Sequence, residues 1–62
     1  MFVKFISADR VPVAINAAQV TYISYVDEGT RIRFSEGRSV TVTEPMDEVI
    51  EKLNTTRSLP SV

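Results

Sequence analysis

At Pro45 the spacing of apolar residues changes. Before it they recur at every second position, as in a strand with one buried face. After it they recur with the period of about 3.6 residues that marks a helix. Upstream, five short runs rich in Val, Ile, Phe and Tyr are separated by polar or glycine-containing breaks, the pattern of consecutive strands. The runs cover 2–7, 11–15, 20–26, 30–35 and 38–43. Pro12 belongs at a strand start or an edge, because it has no N–H to give to a ladder. Asn16 to Gln19 reads as a break with a single helical turn. The spacing predicts an α+β fold: a small antiparallel β-sheet of four or five strands, a β-meander, with one C-terminal α-helix packed on one face.

The helix stripe is Met46, Val49, Ile50 and Leu53. Pro45 suits the first helical position, which leaves Glu44 as the cap. Asp47 and Glu48 fall in the first turn, where the helix dipole favours anions. Glu48 and Lys52 stand four apart as a stabilising pair. The chain after Asn54 has no period. One domain over 1–54, followed by a flexible tail over 55–62, is the organisation expected.

Parity sets the strand registers. Ile32, Phe34, Val40 and Val42 can share a face only if 35–37 form a three-residue loop, which places Ile32 opposite Val40 and Gly37 in the left-handed conformation. The same construction over 27–29 places Ser24 opposite Ile32 and Tyr22 opposite Phe34. The helix-facing side then carries Val20, Tyr22, Ile32, Phe34, Val40 and Val42. The other side carries Thr21, Ile23, Tyr25, Arg31, Arg33, Ser39 and Thr41.

Sixty-two residues allow one domain with a minimal core, for which association is a common remedy. There is no cysteine and no histidine, so disulfides, thiol nucleophiles and imidazole bases are excluded and zinc lacks its usual ligands. No catalytic residue, cofactor site or metal site is expected. Asp47, Glu48 and Glu51 read as a solvated helix face rather than a cation site, and Asp9, Asp27 and Glu28 as turn acids. Both glycines are explained by turns, so no phosphate-binding loop exists. Seven basic against eight acidic residues give a net charge of −1, without the positive excess of a dedicated nucleic-acid binder. The longest apolar run is three residues, so no membrane insertion is expected. The first residues lack the apolar core of a signal peptide, which makes the cytoplasm the expected location.

The remaining candidates are Ile23, Tyr25, Arg31 and Arg33, placed together by the register above. Aromatic and arginine side chains on one strand face suit a protein interface. They also suit stacking on single-stranded nucleic acid, or simple mutual packing with arginine stems over the apolar pair. The partner expected is another protein, together with a second copy of the chain, and nucleic acid is disfavoured by the charge.

The order of features resembles the small flagellar proteins of the FlbD type, called SwrD in some bacteria. The residues that carry it are Val3-Lys4-Phe5, Ile15-Asn16, Thr30 to Phe34, Gly37, Val40-Thr41-Val42, Glu44 and the acidic helix from Asp47 to Leu53. It spans about residues 3 to 53. Arg10 stands where that family usually has a turn glycine, and Pro45 where a capping serine is common. The resemblance implies a cytoplasmic bacterial protein connected with flagellar motility and without catalysis, and it supplies no functional residues. Residues 16 to 53 also look like the last strands and helix of a LytTR-type DNA-binding domain. A small phage or plasmid inhibitor that binds another protein is a third reading.

Overall fold

The computed structural model describes residues 1–57. Five strands and one helix follow each other as β1 (Phe2–Ile6), β2 (Pro12–Asn16), β3 (Val20–Val26), β4 (Gly29–Phe34), β5 (Ser39–Val42) and α1 (Met46–Arg57), with a 3₁₀ turn over Ala17–Gln19 between β2 and β3. The class is α+β. The strands do not form one continuous meander: β1 and β2 make a two-stranded antiparallel sheet, and β3, β4 and β5 make a three-stranded one. The 3₁₀ turn interrupts the chain between them. Asn16 caps it, its side-chain oxygen accepting from the Ala18 N–H at 3.1 Å. A single bridge, Ser7 opposite Val42, joins the two sheets. It is made by the Ala8 N–H donating to the Thr41 carbonyl (2.9 Å) and the Thr43 N–H donating to the Ile6 carbonyl (2.7 Å).

Two of the hairpins share one hydrogen-bond pattern. The Phe34 N–H donates to the Arg38 carbonyl and the Gly37 N–H to the Phe34 carbonyl, closing the expected three-residue loop, with Gly37 at φ +89°. Ile32 lies opposite Val40, as parity requires. At the β1–β2 turn, the Ser7 N–H donates to the Val11 carbonyl and the Arg10 N–H to the Ser7 carbonyl. Here the left-handed position is held by Arg10, at φ +69°. A side chain in that conformation costs roughly 1 kcal/mol or more, because its Cβ crowds the next carbonyl.

The β3–β4 hairpin departs from the expected register. Its loop is two residues, Asp27 and Glu28, so that Val26 pairs with Gly29, Tyr25 with Thr30, Ser24 with Arg31, Ile23 with Ile32 and Tyr22 with Arg33. The register then shifts by one at Thr21, and Val20 pairs with Phe34. The short loop and the bulge cancel at Val20, which stays on the helix side, but residues 22–26 are turned over. Ile23, not Tyr22, faces the core. Gly29 does have positive φ (+149°), for a different reason from Gly37. A Cβ there would meet the Val42 carbonyl oxygen and lie 2.8 Å from the carbonyl carbon of Thr43. The glycine lets β5 pass over the turn.

The core is shared by both sheets and the helix. Phe5, Ile15, Ile32, Val42 and Val49 are buried, with Val3, Val13, Val20, Ile23, Phe34, Val40 and Leu53 packed around them. Alternation in β1 and β2 explains this, since Val3, Phe5, Val13 and Ile15 share one face of that hairpin. Of the expected helix stripe, Val49 is fully buried and Met46 and Leu53 are half-buried. Ile50 is 42% exposed, because the helix presents its Val49 line to the sheets and turns Ile50 toward the open side of β3.

The helix starts one residue later than expected. The Pro45 carbonyl accepts from the Glu48 and Val49 N–H groups, so Pro45 is the cap residue and Met46 opens the helix. Glu44 therefore does not cap it. Its carboxylate accepts the Ile6 N–H (3.1 Å) and lies 3.6 Å from the Lys52 ammonium. Lys52 also donates to the Lys4 carbonyl at 3.0 Å. The helix runs on to Arg57, so the first three residues of the segment expected as a tail are helical, and 58–62 lie outside the described residues.

Candidate interaction surface

Turning over residues 22–26 rearranges the expected site. The face of the three-stranded sheet away from the helix carries Tyr22 and Ser24 from β3, Arg31 and Arg33 from β4, and Ser39 and Thr41 from β5. Tyr22 is 56% exposed. Its cross-strand partner is Arg33, whose guanidinium carbon lies 5.9 Å from the centre of the tyrosine ring, at the outer limit of a cation–π contact. The bulge beside this pair carries a further bond, the Thr21 hydroxyl donating to the Arg33 carbonyl at 3.2 Å. Arg31 is exposed beside Ser24 and Thr41.

Of the four residues expected to act together, Arg31 and Arg33 share this outward face. Ile23 and Tyr25 point to the opposite side of β3. Ile23 is half-buried against the core across from Ile32. Tyr25 lies opposite the buried Thr30 but is itself 72% exposed, at the turn end of the strand. The aromatic residue of the outward patch is Tyr22, which parity assigns to the core. The missing signal was the two-residue turn: Asp27-Glu28-Gly29 fits both loop lengths, and only the longer one was consistent with an unbulged β3.

Elsewhere, a broad depression of about 850 Å³ lies between β1 and α1 and is lined by Val3, Lys4, Asp47, Glu48, Glu51 and Lys52 among others. Among the described residues no group of three or more His, Cys, Asp or Glu is placed to hold a metal ion. No helix among them is long and apolar enough to cross a membrane. Comparison of the chain with protein-family models, with curated proteins and with solved structures finds no match.

Proposed function

We propose that this chain is a small non-enzymatic protein-binding module that engages its partner through the outward face of β3–β4–β5. The observation that supports this reading is the solvent-facing set Tyr22, Arg33 and Arg31. Tyrosine and arginine are enriched among the few residues that dominate interface energies. Here the guanidinium stands at the outer limit of contact with the exposed ring, so the two side chains present one surface. Two guanidinium groups suit a partner surface carrying carboxylates. The resemblance to FlbD-type proteins would place such a module in bacterial flagellar motility, in the cytoplasm.

The second reading, nucleic-acid binding as in a LytTR-type domain, draws on the same pair, since a ring beside a guanidinium can stack on bases. The net charge of −1 gives it no electrostatic support. Two measurements separate the readings. Capture from the native lysate should recover a protein that is lost with Tyr22→Ala/Arg33→Glu, while circular dichroism stays unchanged. A folded double variant that captures the same protein equally well removes this face. A gel shift on arbitrary DNA that weakens steeply as salt rises would instead establish the nucleic-acid reading.

A further inference from the structure

Among the described residues, the outer edges of β1, β2 and β5 are each partly closed or interrupted by the chain itself. In β1 the outward backbone groups belong to Phe2, Lys4 and Ile6. Lys52 occupies the Lys4 carbonyl, Glu44 the Ile6 N–H and Thr43 the Ile6 carbonyl. In β5 the Thr41 carbonyl is taken by Ala8. In β2 the outward positions are Pro12, Ala14 and Asn16. Pro12 has no N–H, and Asn16 passes into the 3₁₀ turn.

The longest open stretch is on β3, the terminal strand of its sheet and, with seven residues, the longest strand among the described residues. Because Phe34 bonds to Arg38, the even residues of β4 serve β5 and the odd ones serve β3. The pairs Ser24–Arg31 and Tyr22–Arg33 are thus bonded, which leaves the N–H and C=O of Ile23 and Tyr25 pointing outward. Natural edges of this kind are usually guarded by charge, proline or a covering element. No charged residue stands anywhere between Arg10 and Asp27. Alongside the edge runs a groove of about 230 Å³ of mixed polarity, lined by Val20, Thr21, Ile23, Ile50, Leu53 and Asn54 among others.

We infer that two copies of this chain pair β3 to β3, antiparallel about a two-fold axis at Ser24, to form one six-stranded sheet. A second copy fits this edge better than an arbitrary strand because of charge. The acidic turn Asp27-Glu28 stands at one end of β3, and Arg33 flanks the other. Antiparallel pairing sets the acidic end of each copy beside the basic end of its partner. With Ser24 opposite the partner's Ser24, the outward groups of Ile23 meet those of the partner's Tyr25, and the reverse. The exposed Tyr25 ring then covers the partner's Ile23 beside the groove bordered by Ile50, an aromatic–β-branched pair of the kind that stabilises sheets. The pairing uses an edge and leaves the outward face of the sheet uncovered, so it stands or falls separately from the partner reading above.

The axis position gives the test. Ser24 and its symmetry mate form a pair without mutual hydrogen bonds, with Cα atoms about 4.5 Å apart, inside the range of about 4.4–6.8 Å that a disulfide spans. The native chain has no cysteine, so a single Ser24→Cys substitution reports this contact alone. Under mild oxidation it should cross-link rapidly to a covalent dimer, while Ser39→Cys, on the same sheet face but two strands away, should not. Sedimentation of the unmodified chain should show twice the mass of the 6.9 kDa protomer at high micromolar concentration. Tyr25→Pro, which removes the outward N–H and the ring that covers the partner's Ile23 without touching a β3–β4 hydrogen bond, should return it to a folded monomer. Equal cross-linking of the two cysteine variants, a chain that stays monomeric (including one whose edge instead takes up a strand from another protein), or a folded Tyr25→Pro variant that still dimerises, each overturns the inference.

Discussion

The carboxylate of Glu44 accepts a hydrogen bond from the backbone N–H of Ile6, 38 residues earlier in the chain, at 3.1 Å. A side chain here takes the place that a neighbouring strand would occupy. With the Lys52 ammonium on the Lys4 carbonyl, the pair closes the edge of β1 over two consecutive outward positions. Thr30 adds a third contact, its buried hydroxyl donating to the Glu44 carbonyl at 2.8 Å.

Glu44→Ala should therefore destabilise the fold by about 1–2 kcal/mol, the value of a charge-assisted hydrogen bond discounted for a partly exposed site. Glu44→Gln keeps an acceptor and should cost about half as much. The exposed helix acid Glu51, changed to Gln, should leave stability within ~0.5 kcal/mol. Urea titrations followed by circular dichroism provide the comparison, and equal midpoints for Glu44→Ala and Glu51→Gln would show that the edge closure contributes nothing.

Arg10→Gly should stabilise the protein. The residue sits in the left-handed region in a turn with the same hydrogen bonds as the Gly37 turn. Relief of roughly 1 kcal/mol of backbone strain, less the extra freedom of glycine in the unfolded chain, leaves a few tenths of a kcal/mol and should raise the midpoint of thermal unfolding by about one or two degrees. The converse change, Gly37→Ala, should lower it by a similar amount, and its Cβ would meet nothing within 4 Å, so the effect is purely conformational.

Gly29→Ala should be far worse than Gly37→Ala. Its Cβ would press on the backbone of Val42 and Thr43, which cannot swing aside as a side chain can. Clash and strain together should exceed about 3 kcal/mol, much of the total stability expected of a domain this size. A thermal melt of Gly29→Ala close to the Gly37→Ala curve would contradict the close crossing of β5 over the turn.

Within the helix, Val49→Ala should cost about 2 kcal/mol through the cavity it leaves among Phe5, Ile32 and Val42. Ile50→Ala should cost less than about 1 kcal/mol, since that side chain remains 42% exposed. Chemical denaturation distinguishes the two, and the reverse order would mean that the helix is rotated about its axis.

The sequence was most informative where a single local constraint decided the geometry. Gly37, with clean alternation on both sides, left one loop length that put Ile32 and Val40 on the same face, and that register is present. Around β3 two unknowns compensated each other. A one-residue shorter turn inverts the faces of Tyr22 and Ile23, and a bulge at Thr21 restores Val20, so the end of the strand looks the same either way. Hydrophobicity could not arbitrate, because Tyr22, Ile23 and Tyr25 all suit a half-buried strand. Arg31 and Arg33 face outward as their alternation with Ile32 requires, a relation that does not depend on β3. The division into two sheets was not legible either, because it rests on long-range contacts of Glu44, Lys52 and the Ser7–Val42 bridge, which leave no periodic trace.

The single bridge between the sheets also sets the order in which the chain can be completed during synthesis. The β1–β2 hairpin and the β3–β5 meander each consist of neighbours in sequence, so both can begin to form as they emerge. Beyond the bridge itself, the groups that fasten one to the other, Glu44, Val49 and Lys52, are translated after them. At about 5–20 residues per second, hairpin formation in microseconds is far ahead of the ribosome. The helix, which carries Val49 and Lys52, is thus the last element needed to cover the apolar faces of both hairpins.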